Sequence, residues 1–458
     1  MTRLWQKKWF RALLIAALIL LQFLFLLTLG RGYDHWTQEE VCYASAALMP
    51  YRPINPMSSL ATPLQYEPDV NVFDNAASWG IPPLYTLLLR HAYSVLQPQH
   101  NDFYAVPVLL NLCAAVPLWI VLCLLARRLL PDGKSAWLFP LLIGFSLMAP
   151  LGIRMAAPHV LTALFAALTL FSLQRIYDKR RAVFSCLLLF LSVLCGFLTW
   201  YPFGVFAACC AAVTALCAMP RHRFSVAVTA PVLTAAGLLA GFLIFPAAID
   251  HLTGERLPFS AGYLQRLKAF YEALSGTVFG GLLLWVAILS ALAGLVLLYL
   301  HAVRPKDLHA PEEAPKTESP EEEDPAAAAY RRRAARRTKK MPAEGDGRST
   351  VLPFTLLALS LLAYALCAAL LHYIPLSLHY DPYYSPIQTA GAEPSLLYCI
   401  YPLVLLFFSA FSCRAIRRMG AKPGAAAWIT AGIFLALAVI SYARSDVFRP
   451  DLWVPLFS

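Results

Sequence analysis

The sequence predicts an all-α polytopic membrane protein with about eleven transmembrane helices, on three observations. The chain of 458 residues is 59% hydrophobic and only 14% charged, which is too apolar for one soluble core to bury. Apolar runs of roughly 17–25 residues, the length that crosses a bilayer, recur along it. Lys and Arg gather in alternate connections, the asymmetry that orients helices during insertion.

The runs fall near 12–29, 104–126, 136–152, 156–174, 183–200, 202–219, 224–248, 276–300, 351–372, 395–413 and 424–441. The first follows Arg3, Lys7, Lys8 and Arg11 and has no small-residue cleavage site after it, so it reads as a retained helix and not a removed leader. With the N-terminus cytoplasmic, the short inner connections hold 17 of the 37 Lys and Arg, against the two acids Asp132 and Asp178. The outer connections hold 9 of the 37 cations and 14 of the 26 acids. An odd number of spans then leaves the C-terminal tail, from about Tyr442, outside.

Three regions follow from this: a membrane core over 1–301, a charged cytoplasmic loop over 302–350, and C-terminal spans with a short external tail over 351–458. The loop is acidic around Glu321-Glu322-Glu323-Asp324 and basic around Arg331-Arg332-Arg333, and reads as a disordered linker or as a basic segment lying on anionic lipid. The net charge of +11 is scattered over many short connections, so it signals topology and argues against nucleic-acid binding. Most of the 11 cysteines lie inside apolar runs without zinc-like spacing and read as small membrane residues.

The first external loop, from about Gly30 to Tyr104, is roughly 74 residues long, a length that is usually functional or disordered. Its aromatics, including Tyr33, Trp36, Tyr43 and Tyr85, argue against disorder. Thr37-Gln38-Glu39-Glu40 followed by Val41, Ala44, Ala47 and Leu48 predicts a short amphipathic helix lying on the bilayer. Asp34, Glu39 and Glu40 are the carboxylates nearest the first span, and a carboxylate there can act as general base toward an acceptor hydroxyl. For Glu40 a second reading stands beside this: Thr37 as N-cap with Glu40 three residues on has capping-box spacing.

Arg154 sits between two runs in a nearly charge-free neighbourhood, where it would suit a phosphate or snorkel to the headgroups. Arg266 and Lys268, near Tyr263 and Phe270 in the 249–275 loop, predict a helix that is either an ordinary surface helix or a second interfacial one whose cations meet anionic lipid. The 373–394 loop carries Tyr380, Tyr383 and Tyr384, which suit either a sugar ring or an aromatic belt. His372 and His379 lack metal-ligand spacing on one helix.

Four stretches carry a family resemblance that extends to about residue 215. They are Glu39-Glu40-Val41-Cys42-Tyr43, Ile81-Pro82-Pro83-Leu84-Tyr85, Ile153-Arg154-Met155 and Gly196-Phe197-Leu198-Thr199-Trp200-Tyr201. They resemble, in turn, the Asp-Glu pair, the His-Pro-Pro-Leu-Tyr element, the Ala-Arg-Met-Tyr stretch and the Gly-Leu-Thr-His-Tyr stretch of integral-membrane glycosyltransferases. The class is GT-C, in its family-39-like branch related to protein O-mannosyltransferases and aminoarabinose transferases. The chain departs from that pattern at Glu39, Ile81 and Ala156.

The resemblance implies a GT-C-like fold in a bacterial plasma membrane. It implies inverting transfer of a sugar from a polyprenyl-phosphate donor to an extracytoplasmic acceptor in the cell envelope. Glu39 then takes the base position, with Glu40 or Asp34 as alternatives. Arg154 then assists at the carrier phosphate, with Tyr85 and Tyr201 as further substrate contacts; Arg266 and Lys268, beyond the resemblance, are candidates to help neutralise the leaving phosphate, and the surrounding partners are membrane lipids. No cofactor is implied, and a divalent cation stays open. The competing readings are a transporter or flippase of a lipid-linked saccharide and an inactive membrane scaffold. No internal repeat of the kind transporters carry is visible.

Overall fold

In the computed structural model, the described residues are 17, 20–22, 24, 38–49, 66, 69–79, 81–97, 105–130, 138–144, 146, 149, 152–153, 155–178, 182–219, 222–247, 348–371, 400–418 and 423–444. They are overwhelmingly helical, and no strand occurs among them. Three helices of a surface layer come first: α1 (Gln38–Leu48), α2 (Val72–Trp79) and α3 (Pro83–Leu96). The bundle follows with α4 (Ala105–Leu129), α5 (Leu138–Gly144), α6 (His159–Tyr177), α7 (Ala182–Thr199), α8 (Phe203–Ala218) and α9 (Phe224–Ile244). It is completed by α10 (Arg348–Leu371), α11 (Tyr401–Arg418) and α12 (Pro423–Arg444).

The bundle helices fall on the apolar runs, and one of them is short. Within 136–152 the first described helix, α5, ends at Gly144 after about 10 Å of rise, a third of the hydrocarbon thickness. The runs 276–300 and, but for a few helical positions, 12–29 lie outside the described residues, as do the charged loop through residue 347 and the 249–275 and 373–394 loops. Pro117 and Pro231, which punctuate their runs in the sequence, sit inside unbroken α4 and α9. Each removes one backbone hydrogen bond, a loss that helices in a membrane bundle tolerate.

Proline also starts helices here, because a fixed φ and a missing N–H cost nothing at the first turn. α3 begins at Pro82-Pro83 and ends at Gln97, whose left-handed φ of 42° lets its N–H bond back to Tyr93 O. α6 and α8 begin after Pro158 and Pro202.

α6 is the axis of the bundle. It packs against α4, α7, α8, α9, α10 and α11, and 83% of its apolar stretch is buried, compared with 28% for α9 at the periphery. Small residues make this crowding possible: Ala166 and Ala167 are fully covered. On α9 the large apolar residues Val228, Val232, Leu239 and Leu243 form one stripe and are each more than half exposed. A stripe of this kind would be a liability in water and is stable against lipid tails. With α4, α6 and α9 each long and apolar enough to cross a bilayer, the chain is a multi-pass membrane protein.

The two ends of the bundle differ in charge. At one end Arg128 pairs with Asp178 at 3.3 Å, Arg223 donates to Tyr177 O, and Arg414 donates to Leu129 O at 2.8 Å. Arg175 joins them through Ser185 Oγ at 3.2 Å. The last carbonyls of α4 and α6 thus receive cations, which also complements their dipoles. The opposite end carries the surface layer.

Two glycines set how closely the peripheral helices approach. A Cβ at Gly196 would lie 2.3 Å from the Phe203 ring, and one at Gly241 would lie 2.5 Å from the Phe197 ring. Phe203 is fully buried and has nowhere to move. Gly196→Ala is expected to cost about 1–3 kcal/mol and to lower the thermal midpoint in detergent. Gly432→Ala, with open space around it, should leave the midpoint unchanged or raised. Equal melting of the two variants would show that α7 and α8 are not packed as described.

Candidate functional site at the layered end of the bundle

The surface layer is held by side chains that satisfy helix ends. α1 leaves its last carbonyls without intrahelical donors. Asn75 Nδ2 donates to Ala46 O at 3.3 Å and Met49 O at 2.6 Å, and Arg90 Nη1 donates to Ala47 O at 2.9 Å. The Arg90 guanidinium also lies 5.1 Å from the Tyr66 ring centroid. α2 and α3 therefore clasp α1 from its C-terminal end.

The helix at 38–48 forms where the pattern predicts it, but residues 42 to 48 are buried on every side, so it is packed between helices and not laid on a surface by one face. Tyr43 meets Tyr85 edge-on, with centroids 5.4 Å apart, and both are covered. Ile81, which stands where the family pattern has His, is fully buried, and its N–H bonds to Ala76 O at 2.9 Å.

Glu40 is the third residue of α1 and only 4% exposed. Its Oε1 accepts the backbone N–H of Ala156 at 2.9 Å, a contact across 116 residues of sequence. From the bundle side, Asn111 on α4 donates through Nδ2 to Ile153 O at 3.1 Å and to Met155 O at 2.7 Å. Three backbone atoms of the turn 153–156 are thus tied to two buried polar side chains. His159, 3% exposed, opens α6 three residues further on.

A second seam reaches the same layer through aromatic rings. Tyr201, in the α7–α8 corner, lies 5.6 Å from Phe197 and stacks on Phe245 at 6.4 Å. Phe245 in turn lies 6.5 Å from Phe73 on α2. Burial pushes the Tyr201 phenol above its ordinary range, so at any working pH it is a neutral hydroxyl.

The residues singled out in the sequence divide as follows. Glu40, Tyr85 and Tyr201 are at this end of the bundle, all buried. Glu39 is the second residue of α1, with its side chain outside the described set. Asp34, Arg154, Arg266 and Lys268 lie outside the described residues, although Ile153 and Met155 on either side of Arg154 lie within them. Among the described residues no three of His, Cys, Asp and Glu gather as metal ligands. Asn111 and His159 were not singled out from the sequence. The available signal was a polar side chain inside or at the mouth of an apolar run.

No protein-family model matches the chain, and no curated protein does. Among solved structures it is similar to an Archaeoglobus fulgidus oligosaccharyltransferase tethered to an acceptor peptide containing the NVT sequon. The TM-score is 0.43 and the identity 12%, over 95% of this chain and 55% of that one. It is also similar to ArnT from Cupriavidus metallidurans in the apo state, with TM-score 0.41 and 13% identity, over 96% of this chain and 78% of that one. Both are GT-C glycosyltransferases, and the chain spans little more than half the length of the oligosaccharyltransferase.

Proposed function

We propose that the chain is an inverting glycosyltransferase that moves a sugar from a polyprenyl-phosphate carrier to an acceptor on the extracytoplasmic side of a bacterial plasma membrane. The observation that carries this reading is the bond between Glu40 and Ala156. It joins the acidic start of the first long connection to the turn that contains Arg154, the two places where this chemistry needs a base and a cation.

In this mechanism the Glu39 carboxylate takes the proton of an acceptor hydroxyl as its oxygen attacks the anomeric carbon. The bond from that carbon to the phosphate oxygen breaks on the opposite face, which inverts the centre. The electron pair leaves on polyprenyl phosphate, whose charge Arg154 meets with paired hydrogen bonds, with Arg266 and Lys268 adding to the field. Tyr201 walls the site, and Tyr85 holds the surface layer beside it by packing on Tyr43. The reading includes eleven spans, a cytoplasmic N-terminus and an external C-terminus. The arginine-lined end of the bundle supports that orientation, because retained cations mark the cytoplasmic side.

The test is reconstitution in lipid nanodiscs with a series of polyprenyl-phosphate sugars and a cell-envelope fraction as acceptor. The expected result is release of polyprenyl phosphate, slowed about 10²-fold or more by Arg154→Ala. Two outcomes would overturn it: intact donor crossing a vesicle bilayer without cleavage, which marks a transporter, or no release together with an unchanged envelope glycan profile in a deletion strain, which marks a scaffold.

A further inference from the structure

We infer that Glu40 is a positioning residue: its carboxylate and the Asn111 amide clamp the main chain at Ile153, Met155 and Ala156, the residues that flank Arg154 in sequence. The inference rests on the transferase reading for what the clamp is for, and on geometry alone for the clamp itself. A general base needs its oxygens for the acceptor proton. Glu40 Oε1 is already given to the Ala156 N–H, within a residue that is itself 1% exposed.

The Asn111 half is equally directed. Asn111 is 1% exposed, and its Nδ2 spends its two protons on the carbonyls that bracket Arg154, Ile153 O and Met155 O. Two carbonyl acceptors at this spacing determine which way the amide faces. Its Oδ1 has no donor among the described residues. Without the clamp the buried Ala156 N–H and the Ile153 and Met155 carbonyls lose these bonds. The surface layer carrying Glu40 and the bundle helix carrying Asn111 therefore meet at one short stretch of main chain.

The bond to Ala156 needs an acceptor at Glu40, whatever part its charge plays elsewhere. The conservative variant separates these, because a glutamine oxygen can take the Ala156 N–H. Full-length protein in nanodiscs is examined by hydrogen exchange over the peptide containing Ala156, and by native mass spectrometry with polyprenyl phosphate as probe. Glu40→Ala is expected to speed Ala156 exchange at least about tenfold and to weaken polyprenyl phosphate binding by a similar factor. Glu40→Gln should stay within about threefold of wild type in both readouts, and Asn111→Leu should behave like Glu40→Ala.

Unchanged exchange in Glu40→Ala would overturn the clamp. So would a Glu40→Gln protein that is folded, by unchanged exchange elsewhere, yet as impaired as Glu40→Ala, since charge would then be what matters. Wild-type protein that does not bind polyprenyl phosphate at all would overturn the transferase reading and the purpose given to the clamp. The exchange arm would still decide the clamp itself.

Discussion

Glu39→Gln is expected to lower the rate of sugar transfer by about 10²–10⁴-fold while leaving polyprenyl phosphate binding at the wild-type level. Glutamine keeps the size of the side chain and removes only its ability to take a proton. The loss should therefore appear in kcat, because deprotonation of the acceptor develops in the transition state and not on binding. The decisive measurement is single-turnover transfer beside binding of the same donor. A Glu39→Gln protein that turns over at the wild-type rate would move the base to Asp34. The two neighbouring glutamates are expected to part company: the Glu39 variant binds and does not turn over, whereas Glu40→Gln retains its grip on the 153–156 turn.

Tyr85→Ala is expected to cost about 3–5 kcal/mol and to loosen the whole surface layer. The side chain is fully buried and meets Tyr43 edge-on at 5.4 Å, so truncation leaves a cavity between α1 and α3 and removes an aromatic pair. That loss should appear as a lowered thermal midpoint, while Tyr85→Phe keeps the packing. The alternative comes from the sequence motif, in which the same tyrosine contacts substrate. If Tyr85→Ala melts like the wild type and loses only transfer, the tyrosine belongs to the binding surface and not to the packing.

The surface layer shows best what was legible and what was not. The helix at 38–48 could be read from a cap residue, two glutamates and apolar residues at helical spacing. Its burial was not legible. A hydrophobic pattern reports that a helix has an apolar side, whereas Asn75 and Arg90 closing on Ala46, Ala47 and Met49 is a matter of which segments meet.

Glu40 was poised between two local roles in the sequence, base and capping box, because both depend on residues within a few positions of it. The structure adds a partner 116 residues away, which no spacing rule reaches. Asn111 escaped notice because one amide in an apolar run looks like a tolerated polar residue until its two carbonyl acceptors are known.

By itself the sequence determined that the chain enters a membrane many times, where its helices begin, and which end of each carries cations, since hydropathy, proline and charge act locally or through insertion. Only the tertiary structure decided that α6 is the axis, that the arginines of α4, α6, α9 and α11 share one end, and that Glu40 and Asn111 hold the same turn. Those outcomes depend on side-chain volume and on pairing across long stretches of chain, where a buried N–H or carbonyl must find a partner wherever the fold supplies one.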